Sequence, residues 1–204
     1  MSYIFLVFLS IFTFCSENGI KEKPPVNKEP DELKNPPLSQ EIWIAASNSS
    51  AADKAQANYI CDGANDQEEI QSALNKLPLS GGVINLHSGT FYCAGIIVPK
   101  TGTTIKGKGE SETFLKFTND GRINIDNEYA TLNDFNIQGS GYNIGVKWLG
   151  VLTIRASHTK IHNIVGTADA SIQAVFLLIH DPTIYTPTLE DVEFINCKAI
   201  DTGT

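Results

Sequence analysis

Apolar residues follow a helical period in one short stretch of the chain and a period of two almost everywhere after it. Residues 66–77 form the helical stretch, and its apolar positions at i, i+3, i+4 and i+7 are Ile70, Ala73, Leu74 and Leu77. Asp66 and Glu69 have the spacing of a capping box at its start. Pro78 interrupts the pattern at its end. The sequence therefore predicts one short amphipathic helix.

From Gly82 onward, short apolar segments rich in β-branched residues are bounded by Gly or Pro, as in "VINL" and "GIIV". Similar segments recur as "TTIKGKG", "ATLNDFNIQG", "TKIHNIVG" and "PTLEDVEFINC". Their anchor residues are about 27 to 29 residues apart and are Ile105, Leu132, Ile161 and Leu189. This period is typical of a solenoid whose repeats stack on one another. The pattern predicts an all-β fold, a right-handed parallel β-helix of four to five coils, in preference to a β-sandwich.

The end of such a solenoid exposes apolar side chains and unpaired backbone groups, and it needs a cap. The predicted helix directly precedes the first strand, so its apolar stripe can cover that opening. We therefore expect a structural capping role for Ile70, Ala73, Leu74 and Leu77. The chain stops at "CKAIDTGT" soon after a strand, and the C-terminal end of the solenoid is expected to be uncapped.

The N-terminal segment has the composition of an export signal. Residues 3–14 are almost uniformly apolar, a run that is too short to span a bilayer and has the length of a signal-peptide core. Cys15 follows directly, so residues 1–15 predict either a cleaved signal peptide or a lipoprotein signal. The second alternative places a lipid anchor on Cys15, although Phe14 stands where a lipobox has a small residue. The expected location is secreted or at the cell surface.

A polar segment separates this signal from the folded body. Residues 16–41 contain five prolines and mixed charges with very few apolar side chains. Such a composition cannot bury enough surface to offset the entropy of ordering the chain. We expect a disordered tether over residues 16–56 and a β-helix domain over residues 57–204.

Charge and cysteine content narrow the class of function. The formal net charge is −8, and no basic stripe is present, which disfavours nucleic acid as a partner. Cys61, Cys93 and Cys197 lack a C-x-x-C pattern, so a zinc site is not expected. A Cys61–Cys93 disulfide and two unpaired thiols both remain open, whereas Cys197 is expected to be a small buried apolar residue.

The stretch "YICDGANDQEEIQSALNKLPLSGGVINLHSGTFYCAGIIVPKTGTTIKGKG" resembles the N-terminal entry of pectate-lyase-like right-handed β-helix proteins. It is most similar to uncharacterised exported members with β-helix repeats from archaea and bacteria, over residues 57–204. The resemblance implies the fold, but it does not select an activity, because this fold serves lyases, hydrolases, epimerases and non-catalytic surface proteins. Family members continue through more coils, so the chain is expected to be a truncated, inactive fragment.

No catalytic signature of this fold is present in the sequence. If the chain were active, the resemblance would imply a polysaccharide lyase or a glycoside hydrolase. A lyase of this kind would use Ca²⁺, which only the resemblance suggests, and the acidic group Glu190, Asp191 and Glu193 offers too few convergent oxygens to predict a metal site. No cofactor is expected. The "GKG" segment at 107–109 lacks the spacing of a phosphate loop and is expected to be a turn.

The stretch "IRASHTKIHN" is the richest in polar residues, with Arg155, His158, Lys160 and His162. Strand alternation can place the last three on one face, where they could hold an anionic sugar. An outward strand face without a ligand is the alternative. Trp148 and Tyr142 lie just upstream and could either stack on a sugar ring or fill a corner of the coil.

We therefore expect an exported cell-surface β-helix protein that engages a polysaccharide or surface glycan. The alternative is a non-catalytic surface scaffold or adhesin of the same fold.

Overall fold

The computed structural model describes residues 40–142, 150–172, 174–179 and 188–202. The predicted signal segment with Cys15, the first part of the tether, Trp148 and the end of the predicted domain at residues 203–204 lie outside these ranges. No helix in the described ranges is long and apolar enough to cross a membrane.

Strand is the main regular structure of the described residues. The two helices are α1 (Ala51–Gln56) and α2 (Gln67–Lys76). The strands are β1 (Glu41–Ala45), β2 (Tyr59–Ile60), β3 (Gly82–Leu86), β4 (Gly89–Cys93), β5 (Ile96–Ile97), β6 (Thr103–Lys106), β7 (Thr113–Phe117), β8 (Arg122–Ile125), β9 (Thr131–Gly139), β10 (Gly150–Ile154), β11 (Lys160–Ala168), β12 (Ala174–Leu178), β13 (Glu193–Ile195) and β14 (Lys198–Asp201).

All pairings between these strands are parallel, and they form a ten-stranded curled sheet and a four-stranded sheet. In the larger sheet, strands β1, β3, β6, β9, β11 and β13 lie side by side, and the second halves of β9 and β11 pair with β7 and β14. The smaller sheet has the order β12-β10-β8-β5. Parallel strands need crossover connections. The connections from β3 to β6, from β6 to β9, from β9 to β11 and from β11 to β13 each pass through one strand of the smaller sheet.

Three of the four predicted anchors lie in register on neighbouring parallel strands. Ile105 pairs with Leu132, and Leu132 pairs with Ile161, and all three side chains are fully buried. The fourth anchor was wrong: the residue in register with Ile161 is Phe194, because β13 begins only at Glu193. The last repeat is therefore longer than the sequence pattern suggested, and Leu189 precedes its strand.

Strands β9 and β11 bend where a residue adopts a left-handed backbone conformation. Asp134, Asn163 and Asn196 have φ of 62°, 53° and 53° and occupy equivalent positions in three successive repeats. The Asn163 Nδ2 atom donates to Asp134 Oδ1 at 2.7 Å, and Asn196 Nδ2 donates to Asn163 Oδ1 at 3.2 Å. Short amide and acid side chains tolerate this conformation best after glycine, so the ladder fixes the bend and links the repeats.

We expect Asn163→Val to lower the free energy of unfolding by about 3 kcal/mol, because it places a β-branched residue at positive φ and removes two hydrogen bonds. Asn163→Gly keeps the backbone conformation and loses only the hydrogen bonds, so about 1 kcal/mol is expected. Urea denaturation measures both values. Equal midpoints for the two variants would contradict the conformational part of the explanation.

The folded body begins earlier than predicted, and the proposed tether boundary at residue 56 is wrong. Strand β1 lies between β2 and β3, with Ile42 and Ile44 buried in the core. Helix α1 follows within the same segment. The alternating pattern of "EIWIA" is a strand signal, and the proline-rich composition that motivated the tether ends before it.

Helix α2 coincides with the predicted helix and buries the predicted stripe. Ile70, Ala73 and Leu74 are fully buried, and Leu77 follows at the C-terminal end of the helix and is also buried. The helix packs against β1, β2, β4 and β5, which belong to the first part of the fold.

The predicted capping box is wrong. Asp66 stands at the N-cap position, but its side chain makes no capping hydrogen bond to the helix. Its carboxylate instead accepts from the backbone N–H of Gly63 at 2.8 Å and from that of Tyr92 at 2.7 Å. This fully buried carboxylate therefore ties the entry of α2 to strand β4.

The three cysteines in the described ranges are unpaired. Cys61 and Cys93 are buried, and this burial raises the pKa of both thiols well above the usual range. Cys197 is partly buried, packs against the core, and its thiol donates to the backbone carbonyl of Ile161 at 3.1 Å. Cys61 and Cys93 therefore act as small apolar core residues, and no disulfide joins them.

Candidate functional site

A second row of left-handed residues lies five positions before the Asp134–Asn163–Asn196 ladder. Tyr129, His158 and Asp191 have φ of 61°, 55° and 51°, and the equivalent residue of the preceding repeat is Gly102, with φ of 68°. Glycine adopts this conformation without steric cost, whereas a bulky side chain pays for it. Three larger side chains in successive repeats thus replace the residue that the backbone prefers.

These three side chains contact one another along the stack. The ring of Tyr129 lies parallel to the imidazole of His158, with 4.7 Å between the ring centroids and 9° between the planes. The Nδ1 atom of His158 lies 3.1 Å from Asp191 Oδ2. Tyr129 is 56% exposed, so one face of its ring is open to solvent. The row therefore exposes the Tyr129 ring to solvent, while His158 packs against the ring and Asp191 contacts His158.

A cavity of about 610 Å³ opens beside this row. Its lining residues come from the corner before β9, the start of β11 and the segment that leads into β13, and they are Tyr129, His158, Lys160, Asp191, Val192 and Glu193. An aromatic ring, an ammonium group and two carboxylates thus surround one concave space. Residues in unfavourable backbone conformations concentrate at ligand sites, where the strain is offset by the rest of the fold.

The predicted cluster of four basic residues is only partly brought together. His158 and Lys160 line the cavity, and His162 lies two residues further along β11 on the same face. The Nε2 atom of His162 is 3.6 Å from Glu193 Oε2. Arg155 lies elsewhere, at the end of β10, where its Nη1 atom is 3.1 Å from Asp126 Oδ1. It does not line the cavity.

Carboxylates accompany three of the four predicted basic residues. Asp126 pairs with Arg155, Asp191 with His158, and Glu193 approaches His162. A fixed anionic ligand would therefore meet negative charge beside each of these groups. The arrangement does not favour the anionic sugar that the basic residues alone suggested. The cavity instead offers both hydrogen-bond donors and hydrogen-bond acceptors.

Sequence reasoning missed Tyr129 and the role of Asp191. A signal was present, because Gly102, Tyr129, His158 and Asp191 are spaced like the repeat anchors Ile105, Leu132, Ile161 and Phe194.

The two upstream aromatic residues do not contribute as a pair: Trp148 lies outside the described ranges, and Tyr142 is buried. The Tyr142 hydroxyl donates to the Gly121 carbonyl, and burial raises its pKa. Tyr142 thus fills a corner of the interior.

The "GKG" segment bends at Lys108, and the turn lies at residues 110–112, just after the segment where it was predicted. Of its two glycines, Gly109 has positive φ. Gly107 lets two backbone segments approach closely, because a Cβ atom there would lie 2.3 Å from the backbone oxygen of Asp134.

Among the described residues, one group of potential metal ligands converges within 4.8 Å, namely Cys61, Asp66 and Glu69. The Asp66 carboxylate of that group is already engaged by two backbone N–H groups.

Comparison with known proteins gives no further guide: no family model, curated protein or solved structure matches this chain.

Proposed function

We propose that the chain is an exported cell-surface protein with a right-handed parallel β-helix of the pectate-lyase-like class. Three ladders of parallel strands and a repeating register support this proposal, since a solenoid joins successive strands of one ladder through the others. The contacts of α2 with β1, β2, β4 and β5 support its assignment as the N-terminal cap. The apolar run at residues 3–14 supports export.

The function we propose is binding of a polysaccharide in the cavity beside Tyr129. The observation that carries this proposal is the stack of Tyr129, His158 and Asp191 in left-handed positions. An exposed ring flanked by hydrogen-bonding groups suits a sugar, which has an apolar ring face and polar edges. A tyrosine at φ 61° carries conformational strain, and a contribution of its ring to binding would account for that strain.

Binding without bond cleavage fits the site best. Hydrolysis of a glycosidic bond uses one carboxylic acid and one carboxylate, with the sugar between them. Here Asp191 Oδ2 lies 3.1 Å from His158 Nδ1, just before β11, and Glu193 Oε2 lies 3.6 Å from His162 Nε2 on β11. We therefore propose a binding protein.

The decisive variant is Tyr129→Gly. We expect it to abolish glycan binding and to raise the free energy of unfolding by about 1 kcal/mol, because glycine relieves the strain at φ 61°. Tyr129→Phe keeps the ring and should retain most binding. A glycan array measures binding, and urea denaturation measures stability. Lower stability of Tyr129→Gly with unchanged binding would reverse both expectations.

Two further variants localise the site. His158→Ala should weaken binding about tenfold, because it removes the support beneath Tyr129 and the partner of Asp191. Arg155→Ala is the matched control, since Arg155 lies outside the cavity and pairs with Asp126. If wild type binds no neutral or acidic glycan, the scaffold or adhesin function is favoured instead.

A further inference from the structure

Three side chains at the entry of helix α2 bring potential metal ligands together in the interior. Cys61 directly follows strand β2, Asp66 precedes α2, and Glu69 lies in the first turn of that helix. The Cys61 Sγ atom and one carboxylate oxygen each of Asp66 and Glu69 all lie within 4.8 Å of one another. Small side-chain movements would therefore bring all three atoms to coordination distances of about 2.0 to 2.3 Å from a shared metal ion.

The acids of this cluster are buried without a protein cation. Asp66 is fully buried, Cys61 is 2% exposed, and the Oε2 atom of Glu69 is buried with no hydrogen-bond partner among the described residues. No Lys, Arg or His of the described ranges forms an ion pair with either carboxylate. In each case burial raises the pKa, as expected for an acid without a neighbouring cation. Buried charges in proteins are paired or coordinate metals, so this cluster is suited to a cation from outside the chain.

The surrounding backbone holds the Asp66 carboxylate in place. Its two oxygens accept from the N–H groups of Gly63 and Tyr92, and each oxygen keeps a second lone pair that can bind a metal. Hydrogen bonds of this kind orient ligating carboxylates in metal sites, and here they form with or without an ion. Glu69 is partly exposed, so its side chain connects the buried cluster with solvent.

The donor atoms favour a divalent metal of borderline softness. A cysteine sulfur disfavours Ca²⁺ and Mg²⁺, which take oxygen ligands. Zn²⁺ accepts cysteine sulfur and carboxylate oxygen in one tetrahedral shell. A zinc site was not expected from the sequence, because the spacing of the cysteines does not show that Asp66 and Glu69 fold beside Cys61.

We propose that Cys61, Asp66 and Glu69 bind a Zn²⁺ ion that joins the end of strand β2 to the first turn of helix α2. None of the three residues lines the cavity beside Tyr129, so this site is independent of glycan binding. The ion holds α2 against the first strands, and its binding free energy adds to the stability of the folded protein.

The test is a titration of the full chain, kept reduced and freed of metal with a chelator. Zn²⁺ is added in competition with a chromophoric chelator, and Co²⁺ serves as the spectroscopic probe. We expect saturable binding at one site, a thiolate-to-cobalt charge-transfer band, and a thermal midpoint that rises with added Zn²⁺. Cys61→Ala should remove the charge-transfer band. Glu69→Gln should weaken Zn²⁺ binding about a hundredfold, and it provides a second variant if Cys61→Ala does not fold.

Glu68→Gln is the matched control, because Glu68 is the exposed neighbour of Glu69 in the first turn of α2. It removes the same charge from the start of the helix and should leave Zn²⁺ binding unchanged. Cys197→Ala removes a thiol outside the cluster and should keep the charge-transfer band.

Three results would overturn the proposed metal site. The first is the absence of saturable Zn²⁺ binding by wild type. The second is equal weakening by Glu68→Gln and Glu69→Gln, which would indicate a general effect of negative charge. The third is a charge-transfer band that persists in Cys61→Ala or disappears in Cys197→Ala, since the metal would then lie at another thiol.

Discussion

Replacing Leu74 with aspartate is expected to leave the protein insoluble or unfolded. Leu74 is fully buried in α2, within the same core cluster as Ile70 and Ala73. Truncating a buried leucine costs about 2 to 5 kcal/mol, and burying an unpaired carboxylate adds several more. That sum approaches the whole stability of a typical domain, about 5 to 15 kcal/mol.

Leu79→Asp is the matched control, because Leu79 follows the same helix and is 91% exposed. This variant should keep the wild-type yield and thermal midpoint. Soluble yield after expression and the thermal midpoint by circular dichroism measure both substitutions. A soluble Leu74→Asp protein with an unchanged midpoint would mean that α2 does not hold the first strands together.

The second large effect is expected at Asp66. Asp66→Leu removes the acceptor for two backbone N–H groups, those of Gly63 and Tyr92, in a site from which water is excluded. Each unsatisfied buried donor costs about 1 to 3 kcal/mol, so a loss of about 4 kcal/mol is expected. Asp66→Asn keeps one of the two acceptor oxygens and leaves one N–H group unsatisfied, so it should cost about 2 kcal/mol. Urea denaturation at neutral pH compares the two, and equal losses would contradict a hydrogen-bonding role.

The pH dependence of stability provides an independent check on Asp66. Burial raises the pKa of this carboxyl above its ordinary value of 3.8. Folding therefore favours the protonated form, and the contribution of Asp66 to stability declines as the pH rises from the unfolded pKa through the folded one. Asp66→Asn has no proton to lose. The free energy of unfolding of wild type, relative to that of Asp66→Asn, should consequently fall as the pH rises between the unfolded and folded pKa of Asp66.

The parts of the fold that depend on periodicity could be predicted from the sequence. The helical stripe ending at Leu77 and the anchors Ile105, Leu132 and Ile161 are buried where their spacing placed them, because hydrophobic burial follows the period of each element. The fourth anchor was misplaced at Leu189. The last repeat is longer than its predecessors, and a pattern of fixed period cannot anticipate an insertion.

The candidate site was harder to predict, since it depends on backbone conformation and on pairing across repeats. His158 and Lys160 were found by their polarity, but polarity could not show that Asp191 would sit beside His158 or that Arg155 would pair with Asp126. Tyr129 was missed because a tyrosine at positive φ contradicts its local preference. Local rules are expected to fail at functional or strained positions, and φ of 61° makes Tyr129 a strained one.

The two left-handed rows stay five residues apart in three successive repeats, although the repeats differ in length. The link from Ile154 to Lys160 is short, whereas the link from Leu178 to Glu193 is long and delivers Asp191 to the Tyr129 cavity. The extra residues of the last repeat thus leave the spacing of its two left-handed positions unchanged.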